Sequence, residues 1–178
     1  MRDHLRVLEA VTSEMDARTG RLLESGVDLL ACGGEPTVLV VLEELAGIKA
    51  AAAAQDAASG ARGGERIAPL IDLHIGRILR EGRKVRVLAL AIVQRADAAL
   101  LAGDVRAQFG RRIVFRQDNR DGVRMVYEAA DDGAVERLMN AQPGVGLLWE
   151  AGDPPVFFRA TRRDYRSYVA AVEASAHS

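Results

Sequence analysis

Two short aliphatic runs, Val38 to Leu42 and Val87 to Val93, set the limits on what this chain can become. Each is the length of one strand, and Val38-Leu39-Val40-Val41-Leu42 is apolar at odd and even positions alike. A strand with one wet face alternates. A strand that is apolar throughout is covered on both faces, as in a parallel sheet between helices. Neither run nears the roughly 20 residues a membrane span requires. Between them, Ile67, Leu70, Ile71, Ile75, Ile78 and Leu79 form an inward stripe, with Arg77, Arg80 and Glu81 outward. That spacing predicts a helix over about 67 to 81, with Gly82 as its C-cap glycine. Strand, helix, strand makes the chain α/β.

The flanks extend this pattern. Leu5, Leu8, Val11, Met15, Leu22, Leu23, Val27 and Leu30 predict an N-terminal helical segment within residues 1–36, bent or divided at Gly20 and Gly26. Residues 50–64 are an alanine run followed by Ser-Gly-Ala-Arg-Gly-Gly, a low-complexity composition expected to form a flexible surface loop. Further on, a short helix is expected over 97 to 108, a third strand over Arg112 to Arg116, and helices near 121–130 and 133–140. Val145 to Trp149 and Val156 to Arg159 read as a hairpin, and Asp164 as the N-cap of a last helix reaching about Ala174. The expected whole is a single domain over 1–178: a mostly parallel sheet with helices on both faces and an antiparallel C-terminal hairpin.

Composition narrows the function classes. With 178 residues, 49% apolar and 28% charged, the chain can build a core, and it is neither a disordered tail nor a fibre. A formal net charge of −1 excludes a polycation held to nucleic acid by bulk charge. Cys32 is the only cysteine, which rules out an internal disulfide and a cysteine-built zinc site. Met1-Arg2-Asp3-His4-Leu5-Arg6 has no apolar signal core, so a cytoplasmic location is expected. His4, His74 and His177 lack metal-ligand spacing, and no Gly-x-Ser-x-Gly elbow occurs.

Chemistry is suggested where strands end. The first run stops at two adjacent acids, Glu43 and Glu44, and the second at Gln94 and Arg95. Open α/β sheets gather ligands at the carboxyl ends of parallel strands, where carboxylates can meet a metal ion and a water. A glutamine there can orient water or contact phosphate, and an arginine can reach an anion. Polar residues at strand ends are also ordinary solvated exits. Arginines then recur at 106, 111, 112, 116, 120 and 124. They fit either a solvated face or contacts to phosphate.

In order and spacing, these pieces resemble the motor domain of the FtsK/SpoIIIE family of DNA translocases, Tra-type plasmid-transfer members above all. Glu14-Met15-Asp16-Ala17-Arg18 resembles the Glu-Met-x-x-Arg helix ahead of the Walker B strand. Val38 to Ala46 resembles that strand with its Asp-Glu-Leu-Ala ending, and Gly76 to Arg83 the helix before the sensor strand. Ala91-Ile92-Val93-Gln94-Arg95 resembles Ala-Thr-Gln-Arg-Pro. Arg106 to Arg116, Asp121-Gly122-Val123-Arg124 and Pro143-Gly144-Val145-Gly146 resemble the arginine-bearing strand, the Asp-Ser-Arg after it and the turn before the closing strands. The likeness runs over about residues 10 to 170.

The resemblance implies a partial RecA-like P-loop NTPase sheet. It implies Glu43 as the magnesium-side acid, Glu44 as the base that polarises water and Gln94 as the γ-phosphate sensor. Arg112 or Arg124 would act on nucleotide across a subunit boundary, and Arg95, with the loops 50–64 and 95–103, would meet double-stranded DNA.

Three departures qualify this. No Gly-x-x-x-x-Gly-Lys-Ser/Thr loop occurs, so nothing in the sequence cradles phosphates with backbone N–H groups and a lysine. Glu43 stands where the family has aspartate, shifting the carboxylate by about an ångström. Val93 and Ala96 stand for threonine and proline. Magnesium and ATP are therefore expected only in a complex with a P-loop-bearing chain. The missing P-loop strand would leave apolar inner edges, closed by pairing the second and third strands, by self-association or by a partner. The readings are a translocase module dependent on such a partner, a non-catalytic pseudo-ATPase that docks on a motor, or a decayed fragment.

Overall fold

The computed structural model describes residues 1–26, 35–94 and 106–175, in two compact units, Met1–Phe109 and Gly110–Ser178.

The first unit opens with α1 (Arg2–Ser25), one unbroken helix through Gly20 where a bend was expected. Gly26 ends it in a left-handed conformation. Then come β1 (Val38–Glu43), α2 (Leu45–Ser59), α3 (Ile67–Glu81) and β2 (Val87–Ile92), with a short 3-10 turn before α3 and another before β2. β1 and β2 pair in parallel, Val38 opposite Val87 through Glu43 opposite Ile92. The inner row Val40, Leu42 and Val87 packs on Leu5, Leu8 and Met15 of α1, Leu45 and Ala52 of α2, and Ile67, Ile71, Ile75 and Ile78 of α3. All three helices thus lie on one face of the pair. Its other face, expected to be covered too, stays open: Leu39, Val41, Leu88, Leu90 and Ile92 are 45–56% exposed.

Residues 50–64 correct the expected flexible loop. Most of the segment is α2, because alanine is the best helix former and Ala52 is fully buried. Gly60, left-handed at φ 65°, caps the helix. Asp56 gives the alanine run its anchor: it is 5% exposed, and its carboxylate accepts from the N–H of Ile67 (2.7 Å) and Ala68 (2.9 Å) at the start of α3. Burial pushes its pKa up, but the two N–H donors and Arg66 outweigh that and hold it below the ordinary 3.8. Asp56 therefore stabilises the fold above pH 3.8, and that contribution disappears as pH falls through the lowered value. Asp56→Asn is expected to lower the melting temperature by several degrees at pH 7. In denaturation series down to pH 2, its deficit against wild type should shrink below about pH 4.

Gly82 is the C-cap of α3 as expected, but it is right-handed (φ −59°) where capping glycines are usually left-handed. A Cβ there would sit 2.5 Å from the carbonyl oxygen of Val87, so the chain needs glycine for the close return into β2. The left-handed residue in this turn is Arg86, at φ 60°.

The second unit contains β3 (Arg111–Phe115), α4 (Arg120–Val126), α5 (Asp132–Met139), β4 (Val145–Glu150), β5 (Val156–Arg159) and α6 (Tyr165–Ser175). The strands form an antiparallel sheet in the order β3-β4-β5. β4 and β5 are the expected hairpin, while β3 joins them antiparallel and not the parallel pair. Direct pairing of β2 with β3 is thus absent; they lie in different sheets. Val114, Val123, Val135, Leu138 and Leu147 form the core. Asn119 and Asp131 cap α4 and α5 by accepting from Gly122 and Ala134 N–H, and Asp164 caps α6 as expected. The helix expected over 97–108 falls largely outside the described residues.

Candidate functional site

The carboxyl ends of β1 and β2 bring together three of the expected site residues. Glu43 is the last residue of β1 and sits beside Ile92, in the outward row of the open face. Glu44 follows in a left-handed conformation, φ 51° and ψ 45°, and Leu45 already begins α2. A non-glycine residue pays roughly 1–2 kcal/mol for that conformation, and such strain gathers at functional sites. Here it turns strand into helix within a single residue. Gln94, two residues beyond β2, donates from Nε2 to Glu44 Oε1 at 2.7 Å. The amide thus orients one carboxylate oxygen; among the described residues the other has no hydrogen-bond donor. Both side chains are exposed, and neither Glu43 nor Glu44 has a basic partner among the described residues. Arg95 lies outside those residues.

Arg111, Arg112, Arg120 and Arg124 of the second unit are locally engaged. Arg112 stacks on Trp149, its cross-strand neighbour, at 4.7 Å from the ring centroid, and donates from Nη1 to the carbonyl of Val126 at 3.1 Å. Arg124 donates to Asp132 at 2.8 Å, beside Arg120 at 3.1 Å. Arg111 pairs with Glu150. An arginine acting on nucleotide from here would first have to leave these partners. His74 is structural: Nδ1 meets the hydroxyl of the buried Thr12 at 2.9 Å, tying α3 to α1.

Arg18 has a role that residue-level reasoning missed. Its side chain is 3% exposed. Nε donates to Glu14 at 2.7 Å, and Nη1 donates to the carbonyls of Pro36 (2.9 Å) and Val85 (3.1 Å). One guanidinium therefore ties α1 to the chain just ahead of both parallel strands. Glu14 and Met15, the other fixed positions of the Glu-Met-x-x-Arg pattern, complete it: Glu14 neutralises the arginine, which holds its carboxyl below the usual range, and Met15 fills the core. The signal was Arg18 falling in phase with Leu8, Met15 and Leu22.

Neither a family profile nor a curated protein matches the chain. Solved structures do. TcpA, the pCW3 conjugation coupling protein, in its monomer form with ATPγS, is similar over 99% of this chain and 49% of its own, with TM-score 0.74 and 18% identity. The fold is that of FtsK/SpoIIIE-type ATPase domains. Two further structures carry the same FtsK/SpoIIIE-type fold. The cytoplasmic domain of the Type VII secretion ATPase EccC from Thermomonospora curvata covers 93% of this chain and 18% of its own, with TM-score 0.65 and 24% identity. EssC (ATPases 2 and 3) from Geobacillus thermodenitrificans covers 98% and 30%, with TM-score 0.69 and 12% identity. The chain spans about half the length of the first and less of the others.

Within this FtsK/SpoIIIE-type fold, the carboxylates of Glu43 and Glu44 are hard oxygen donors suited to magnesium. They do not make a complete site: among the described residues no three metal-capable side chains cluster. Phosphate oxygens, water and another chain would have to supply the remaining ligands. No described helix is long and apolar enough to cross a membrane.

Proposed function

We propose that this chain is the Walker B and sensor part of an FtsK/SpoIIIE-type DNA translocase, active only when a P-loop-bearing chain completes the nucleotide site. The observation that carries this reading is Gln94 bonded to Glu44 at the tips of adjacent parallel strands. In that complex Glu43 is the residue that would hold magnesium through its carboxylate. Glu44 accepts a proton from the attacking water, and Gln94 fixes the direction of the accepting oxygen. ATP would supply the γ-phosphoryl group, whose bond to the ADP oxygen breaks as the water oxygen bonds phosphorus, and magnesium would neutralise charge on the phosphates. Arg112 and Arg124 are the arginines proposed to stabilise charge from a neighbouring subunit, and Arg95 the one proposed to meet DNA.

A non-catalytic docking role is a second reading. Val93 supports it: its side chain packs against the core and offers no hydroxyl where the family carries threonine.

One experiment separates the two. The purified chain is titrated with a fluorescent ATP analogue, alone and with each P-loop-bearing motor chain of the source genome, and phosphate release is followed with and without duplex DNA. The first reading expects no binding alone and DNA-stimulated turnover in one complex. Complex formation without turnover selects the docking role, and tight nucleotide binding by the isolated chain overturns both.

A further inference from the structure

We propose that this chain self-associates by seating the C-terminal helix α6 of one copy on the open face of the β1–β2 sheet of another. The inference stands apart from the translocase reading.

Both surfaces are apolar and unused. α6 buries none of its residues. Tyr165, Tyr168, Val169 and Val172 are spaced i, i+3, i+4 and i+7, which places them in one stripe along the helix. Tyr165 is 79% and Val172 49% exposed. A helix of 11 residues is marginal in water on its own, so such a stripe calls for a surface to pack on. On the sheet, Leu39 lies beside Leu88 and Val41 beside Leu90, with Ile92 next, all on the uncovered side.

The dimensions agree. From Tyr165 to Val172 the helix rises about 10 Å, and from Leu88 to Ile92 the strand runs about 13 Å. A helix about 10 Å across spans two strands roughly 4.8 Å apart. One α6 therefore covers one face. Both surfaces stay exposed within the chain, so the helix that fills the seat comes from a second copy.

Charge sets the direction and favours this occupant over others. The outward row ends in Glu43, with Glu44 next, and neither has a basic partner among the described residues. At the opposite end, the turn into β2 carries Arg83, Lys84 and Arg86. α6 has the inverse polarity. Arg162 and Arg163 precede it and Arg166 is its second residue, none with an acidic partner among the described residues. Asp164, the acid among them, is engaged in accepting from the Ser167 N–H. The far end of the helix is the negative pole of its dipole. Laid antiparallel to the strands, α6 brings its arginines and positive pole to Glu43 and Glu44, and its negative pole to Arg83, Lys84 and Arg86. Two sheets packed face to face would leave α6 bare. An anionic membrane would attract the arginines but leave the aliphatic row of the sheet in water.

The test follows the purified full chain by sedimentation velocity over a concentration series, with thermal melts to verify that each variant folds. Wild type should self-associate, less strongly as salt rises. Leu90→Asp on the sheet and Val172→Asp on α6 should each weaken association about 10-fold or more. Val7→Asp, at a 60% exposed position of α1, should leave it unchanged. Mixed in equal amounts, Leu90→Asp and Val172→Asp should associate more tightly than either alone, because the sound helix of the first meets the sound sheet of the second. Absence of that gain overturns the proposal. So does an oligomer that Val172→Asp leaves intact, which makes sheet against sheet the contact. A wild-type chain that stays monomeric throughout overturns it as well, whether α6 remains free or, in a co-sedimentation arm, binds vesicles containing phosphatidylserine.

Discussion

Exchanging Glu44 for glutamine is expected to reduce ATP turnover in the complex with a P-loop-bearing chain by about 10²–10⁴-fold, the usual contribution of a positioned general base. On the proposed reading, the exchange removes the group that would accept a proton and little else. Glutamine is isosteric, its side-chain oxygen can still accept from Gln94 Nε2, and nothing at this exposed site depends on the charge for folding. Nucleotide affinity and melting temperature should therefore remain near wild type while phosphate release stops. Glu43→Gln should behave differently, raising the magnesium concentration needed for half-maximal turnover. Gln94→Ala should lower turnover less than Glu44→Gln, because a carboxylate without its orienting amide is still a base. Full turnover by Glu44→Gln would remove Glu44 from the mechanism.

Replacing Arg18 by methionine is expected to destabilise the first unit by about 2–4 kcal/mol. Methionine retains most of the apolar stem but leaves the carbonyls of Pro36 and Val85 without their donor in a closed space. Glu14 loses its partner too, although it is half exposed and water recovers much of that loss. A buried charge-assisted donor that serves two backbone acceptors is costly to delete, since the acceptors remain behind. Urea unfolding followed by circular dichroism would read the change. Arg18→Lys should recover only part of it, because a single ammonium cannot span Glu14 and both carbonyls as the forked guanidinium does. A loss below about 0.5 kcal/mol, the range of ordinary surface substitutions, would show that the tie is dispensable.

Where patterning carried the physics, the sequence was legible. The inward stripe from Ile67 to Leu79 predicted α3 closely, and Asp164 is a residue type that caps helices for local reasons. Glu44 and Gln94 were both legible as strand-end residues, but their mutual hydrogen bond came from the structure, where the tips of β1 and β2 coincide.

Long-range chemistry was not legible. Asp56 orders the alanine-rich stretch through N–H groups eleven and twelve residues away, which composition does not encode. The hold of Trp149 on Arg112 depends on the register of β3 against β4. The open face misled: residues apolar on both sides implied cover on both sides, whereas Leu39, Val41, Leu88, Leu90 and Ile92 are exposed.

Because Glu44 alone separates β1 from α2, the chain has no slack at that joint. A loop of several residues would absorb a displacement of the helix by changing shape. Here a tilt of α2 about its first turn must swing the carboxylate or break its bond to Gln94. Any load applied along that rod, even fifteen residues away at Ser59, is therefore felt at the Glu44 carboxylate.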